Sequence, residues 1–193
     1  MKIIFTSGLV TAVFLLTPVS VGAYETTGQE AKRMSDTTAA YFVTYKFGHE
    51  SKDIYMPVRA LRNQQYGMET TSIGYEILER SEFRSNKGTA MGIVLSNAEI
   101  VDGMYKVPKG YAASFTLLVL FEAADGEEET EYALQVTDLP FYTGENRDYQ
   151  RLNPSELQYY ATEGVKLHPT AQTKMLENVK VEVKSITYTP VKK

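Results

Sequence analysis

The chain contains no cysteine and no tryptophan, and only two histidines among its 193 residues. Without cysteine there is no disulfide, no thiol nucleophile, no cysteine-ligated zinc and no lipid attachment through an N-terminal cysteine. The histidines, His49 and His168, are far apart in sequence. His49-Glu50 opens like a zinc-protease motif, but Asp53 stands where its second histidine is needed. No glycine-rich phosphate loop, G-x-S-x-G elbow or S-x-x-K pair occurs. Basic residues are not in excess: 20 Lys and Arg face 24 Asp and Glu, a formal net charge of −4. That balance, with no basic stripe, argues against a nucleic-acid partner.

One long apolar run is present, at residues 3–16, behind Lys2. Pro18 ends it, and Val21-Gly22-Ala23 places small residues where a signal peptidase cleaves. Fourteen helical residues would rise about 21 Å, short of a hydrocarbon core of about 30 Å. Residues 1–23 are therefore expected to be a secretory signal removed after Ala23, leaving no transmembrane span and a secreted or cell-envelope exterior location. A mature chain of residues 24–193 is long enough to bury a core without a metal or disulfide.

Residues 24–38 are polar, with Glu25, Glu30, Lys32 and Arg33, and read as a loose leader or a short helix over residues 29–34. From Ala39 the pattern changes to period two. Tyr41, Val43, Tyr45 and Phe47 share one parity, and a polar turn at residues 48–53 leads to a second run at 54–61, the pattern of a hairpin. Pro57 cannot donate to a ladder and predicts an edge or a bulge there. Residues 72–79 and 90–96 are further strands. Residues 98–101 and 104–107 flank Asp102-Gly103, a pair that tolerates positive φ and predicts a tight hairpin. Residues 112–123 carry Phe115, Leu117, Val119 and Phe121 on one parity, with Leu118 and Leu120 on the other, which predicts a central strand. The acidic turn at 125–129 predicts that residues 131–137 return as its partner.

Asn153-Pro154-Ser155-Glu156 has the cap, the proline and the glutamate of a helix start, so one short helix is expected, ending by Gly164 within a long irregular connection. Val179, Val181 and Val183 alternate with charge in a last strand, and residues 190–193 form a tail. The expected fold is all-β: a sandwich of about eight antiparallel strands over residues 39–189, with one short helix.

Val107-Pro108-Lys109-Gly110, the long strand after it, and Tyr132-Ala133-Leu134-Gln135-Val136-Thr137-Asp138 resemble a family of immunoglobulin-like domains in small exported or lipid-anchored bacterial proteins of unknown function. The resemblance spans residues 107–165. It implies an immunoglobulin-like sandwich, no enzymatic activity and no catalytic residues. Two departures stand out: the acidic run Asp125 to Glu129 replaces the family's polar N-x-G bend, and the lipid-anchor cysteine is missing.

Aromatic residues are the most informative surplus, with 14 tyrosines and 8 phenylalanines. Phe141, Tyr142, Tyr149, Tyr159 and Tyr160 gather in the late connection and form the candidate ligand-binding set. The alternative, which their position favours, is that they cover the open side of the sandwich and anchor the helix. Asp125, Glu127 and Glu129 are candidate calcium ligands, although the order of a calcium loop is missing and a solvated turn explains them as well. No cofactor is expected. The leading expectation is a non-enzymatic binding or structural domain at the cell surface, contacting a protein or a cell-wall component through residues 139–165. A carbohydrate-binding module, calcium-assisted, is the alternative. A small hydrolase built on a dispersed histidine site is the third.

Overall fold

The first strand forms in the segment that reads as a loose leader. β1 (Ala23–Arg33) pairs antiparallel with β2 (Thr38–Gly48) from Ala23↔Gly48 to Arg33↔Ala39. Its polar composition reflects an edge position: Glu30 and Lys32 point to solvent, while Ala31, opposite Tyr41, packs on the core. The sheet thus starts at Ala23 rather than Ala39. The computed structural model describes residues 23–63, 71–79, 84–85, 88–124 and 129–167. Residues 1–22 of the expected signal at 1–23, most of the acidic turn, His168 and the expected strand from Val179 to Tyr188 lie outside the described residues.

After β2 come β3 (Ile54–Pro57), β4 (Arg59–Arg62), β5 (Ser72–Glu79), β6 (Arg84–Ser85), β7 (Thr89–Ser96), β8 (Glu99–Val101), β9 (Met104–Val107), β10 (Ala112–Glu122), β11 (Thr130–Asp138), β12 (Pro140–Thr143), β13 (Asp148–Arg151), the helix α1 (Pro154–Leu157) and β14 (Val165–Leu167). Among the described residues the fold is all-β with one short helix. Its strands are shorter and more numerous than the expected eight, because several apparent runs are cut where the chain changes sheets. The larger sheet runs β1-β2-β10-β7-β4-β5-β11-β14, with β6 beside β5. The smaller runs β13-β12-β3-β9-β8. Among the described residues all pairings are antiparallel except β4 with β5.

Two expected hairpins are corrected. β3 does not return along β2. It joins the smaller sheet between β12 and β9. The chain leaves that sheet at Pro57, whose missing N–H ends the ladder, and β4 enters the larger one past Val58. Likewise β11 pairs with β5 and β14, not with β10. The late connection is not irregular throughout, since β12 and β13 make a hairpin around residues 144–147. The expected Asp102-Gly103 turn is present, with φ of +50° and +77° joining β8 to β9. α1 has the expected start: the Asn153 N–H donates to Glu156 Oε2 at 2.7 Å. It ends at Leu157, well before Gly164. No helix among the described residues is long and apolar enough to cross a membrane.

The larger sheet folds over its own core. β10 and β11 are separated by three strands in the hydrogen-bonded order, yet the Phe121 and Tyr132 rings lie 5.0 Å apart. The Tyr41 hydroxyl donates to the Tyr132 carbonyl at 3.0 Å. The end strands β1 and β14 have Cα atoms within 8 Å of each other. β10 lies between β2 and β7 as expected of a central strand, with Phe115, Leu117, Val119 and Phe121 buried. The smaller sheet adds Ile54, Met56, Tyr105 and Val107 to the same core, and the Tyr105 hydroxyl fastens it to the Val94 carbonyl at 2.9 Å.

Two tyrosines on the inner face of β2, Tyr41 and Tyr45, make a paired prediction. The Tyr45 hydroxyl is buried with no hydrogen-bond partner among the described residues, whereas that of Tyr41 has one. Tyr45→Phe removes an unsatisfied polar group and should raise stability by about 1 kcal/mol, while Tyr41→Phe should lower it by about 1 kcal/mol. Urea unfolding of the two variants reads both signs. Destabilisation of equal size in both would show that the Tyr45 hydroxyl is satisfied.

Candidate binding face

The smaller sheet has a buried side and an open side, and the strand period decides which residue goes where. Phe141, Met56 and Tyr105 turn inward on adjacent strands, and the Phe141 ring meets Phe47 at 5.2 Å. The alternate residues form a row across all five strands. Tyr149 pairs with Tyr142, Tyr142 with Tyr55, Tyr55 with Lys106, and Lys106 with Glu99. Directly paired residues share a face, so three tyrosines, a lysine and a glutamate line up on the outside.

This row is held from both ends. At one end the Asp53 carboxylate accepts from the Lys109 N–H at 2.9 Å and pairs with Lys106 Nζ at 3.0 Å, while its carbonyl accepts from the Gly144 N–H at 2.9 Å. The hydrogen bond from Lys106, then that from the Lys109 backbone, holds the Asp53 carboxyl below its ordinary range, and Asp53 in turn raises Lys106. Across the sheet, Arg147 and Asp102, both at positive φ in different hairpin turns, pair at 2.6 Å. The Arg147 guanidinium lies 4.7 Å from the Tyr55 ring centre, so it straps the face and covers Tyr55. Tyr142 and Tyr149 stay half-buried beside it, edge to face at 5.5 Å and 70°, with the Arg151 guanidinium 5.1 Å from the Tyr149 ring.

The candidate aromatics therefore divide. Tyr142 and Tyr149 come together on the outer face. Phe141 turns to the core. Tyr160 is buried, its ring 6.0 Å from Tyr45, and its carbonyl accepts from the Val136 N–H at 2.9 Å, so it covers the side of the sandwich between β2 and β11. Tyr159 is exposed elsewhere, and its carbonyl accepts from the Gln29 side chain on β1. The flat row of rings that a sugar platform requires is not formed by this set. Tyr55 was not among the candidates. It lies in an early strand, and only the β3–β12 pairing brings it beside Tyr142.

The other candidates separate as well. Glu129 pairs with Lys166 at 3.3 Å, while Asp125 and Glu127 lie outside the described residues. No group of three metal-ligating side chains occurs among the described residues. His49 Nδ1 accepts from the Ser51 N–H at 3.1 Å within its own turn, a local structural bond. No protein-family model, curated protein or solved structure matches the chain.

Proposed function

We propose that this chain is exported and acts outside the cell as a non-enzymatic binding domain, contacting a protein or a cell-wall component through the outer face of its smaller sheet. The observation that carries the reading is the Tyr142–Tyr149 pair, flanked by Arg147 and Arg151. Tyrosine and arginine dominate binding hot spots because they combine rigid contact area with directional polar groups. Tyr142 sits on β12, whose other face carries Phe141 and Thr143 into the core, so little is lost in ordering it on contact. The signal pattern of residues 1–23 supports export. The likeness of residues 107–165 to exported immunoglobulin-like bacterial domains supports the same role, and that relationship is part of the proposal.

The test is retention of the purified protein on cell-envelope fractions. Combined Tyr142→Ser and Tyr149→Ser should weaken retention at least tenfold, with the circular dichroism spectrum unchanged. Tyr159→Ser, on another surface, should retain fully. Undiminished retention by the double variant would refute the assignment of this face. Competition by soluble glycans at low concentration would move the reading to a carbohydrate-binding module. Mass spectrometry of the secreted product should find Tyr24 at the N-terminus.

A further inference from the structure

β7 is built the wrong way round for a strand with one wet face. Its inward positions are the small Ala90 and Gly92 together with Val94. A Cβ at Gly92 would meet the Tyr75 ring at 2.6 Å, so the core has no room for anything larger there. Its outward positions are the large apolar residues Met91, Ile93 and Leu95, which are 63%, 37% and 42% exposed. The neighbours continue the surface. Leu118 and Leu120 of β10 lie opposite Ile93 and Met91, Phe42 of β2 lies opposite Leu118, and Leu61 of β4 is 53% exposed on the same face. Contiguous apolar surface of this kind marks an interaction site.

Lys32, Lys46 and Glu122 also border this surface, and the row through its centre carries opposite charges at its two ends. This row of paired residues crosses five strands as Glu30, Phe42, Leu118, Ile93 and Arg59. The row is apolar in the middle, acidic at one end, basic at the other, and centred on Leu118 of β10. Both end residues are exposed. A two-fold axis running along β10 in the plane of contact exchanges the two ends. It places Glu30 of one molecule over Arg59 of the other, Phe42 over Ile93, and Leu118 on Leu118. We infer that this face is the contact of a symmetric dimer, with a second copy of the chain as its occupant. The contact is isologous and closes on itself. The two sheets would lie about 10 Å apart, face to face. Five strands span about 19 Å, and residues 114–122 span about 27 Å, a footprint of about 500 Å² per molecule. That is below the roughly 800 Å² per partner of a standard interface and belongs with weak, transient contacts, so a reversible dimer is expected.

Sedimentation velocity of the purified protein, its N-terminus defined by mass spectrometry, tests this across about 1 to 300 µM. A reversible monomer–dimer equilibrium is expected. Ile93→Glu should weaken it more than tenfold. Glu30→Arg and Arg59→Glu should each weaken it about tenfold, and the two together should restore it. These charge reversals sit on exposed positions, so they read the contact even where Ile93→Glu impairs folding. A monomer mass throughout would overturn the inference. So would a dimer indifferent to all three changes, or reversals that do not rescue each other. Monomers that float with phosphatidylcholine vesicles would give the face to lipid instead. A lowered melting temperature for Ile93→Glu with no dimer in the parent would give it to the chain's own residues.

Discussion

Raising the pH past about 10 should unfold this protein in one cooperative step that releases several tyrosinates together. Burial raises Tyr41 and Tyr45 well above the ordinary phenol range, and it raises Tyr75, Tyr105, Tyr132 and Tyr160 as well. Neighbouring phenols add to the shift at Tyr45, where Tyr160 and Tyr105 would repel a second charge. The sign follows from proton binding. Above the ordinary phenol value the unfolded chain has given up protons that the native core still holds, so stability falls as pH rises. Below that value both states are protonated, and these groups make stability independent of pH. Each retained proton removes up to about 1.4 kcal/mol per pH unit. A few such tyrosines exhaust a typical stability of about 5–15 kcal/mol within one or two pH units. Tyrosinate absorbance and circular dichroism should change at the same pH. Tyrosines that titrate gradually near the ordinary phenol value, with the spectrum of the fold intact, would contradict the burial on which this rests.

The second large effect concerns Arg62 of β4 and Glu76 of β5. Their side chains are mostly buried, with Arg62 Nε 2.9 Å from Glu76 Oε1. The same carboxylate oxygen accepts from the Ile77 N–H at 3.0 Å, and Arg62 also donates to the Gly88 carbonyl. This pair braces the parallel pairing of β4 with β5, where β4 bridges β7 to β5. Arg62→Met should destabilise the protein by about 3–5 kcal/mol, because it strands a carboxylate away from water. Glu76→Leu placed in the same chain should recover most of that loss, since two apolar side chains leave no charge to desolvate. Guanidinium unfolding of the single and double variants measures both. A double variant as unstable as the single one would show that the arginine acts through its bond to Gly88 rather than by neutralising Glu76.

The period-two pattern was legible wherever one face met the core and the other met water or a neighbouring strand. Phe115 to Phe121 on β10 and the tight Asp102-Gly103 turn needed nothing beyond local chemistry. The start of α1 followed from the cap-proline-glutamate order in the same way. β1 was illegible because an edge strand draws its order from the partner's backbone, so its side chains carry little apolar signal. The hairpin β12–β13 was missed because its strands are short and their aromatics read equally well as loop anchors. Of the candidate aromatics, the sequence could group Tyr142 with Tyr149 but not add Tyr55, which lies in a distant strand of the chain.

By itself the sequence determined that the described residues fold as β-strands with one brief helix, that the chain does so without cysteine chemistry, and where its tightest turns fall. These are properties of residues and their near neighbours. Only the tertiary structure decided which strands meet. It sent β3 and β4 to different sheets and wrapped the larger sheet so that β10 and β11 touch through side chains. It also turned Phe141 and Tyr160 inward while setting Tyr142 and Tyr149 outward. The physical reason is that backbone hydrogen bonds join any two extended segments equally well. The choice among partners is made by the packing of side chains from remote strands, as where the Tyr75 ring on β5 fills the space left by Gly92 on β7.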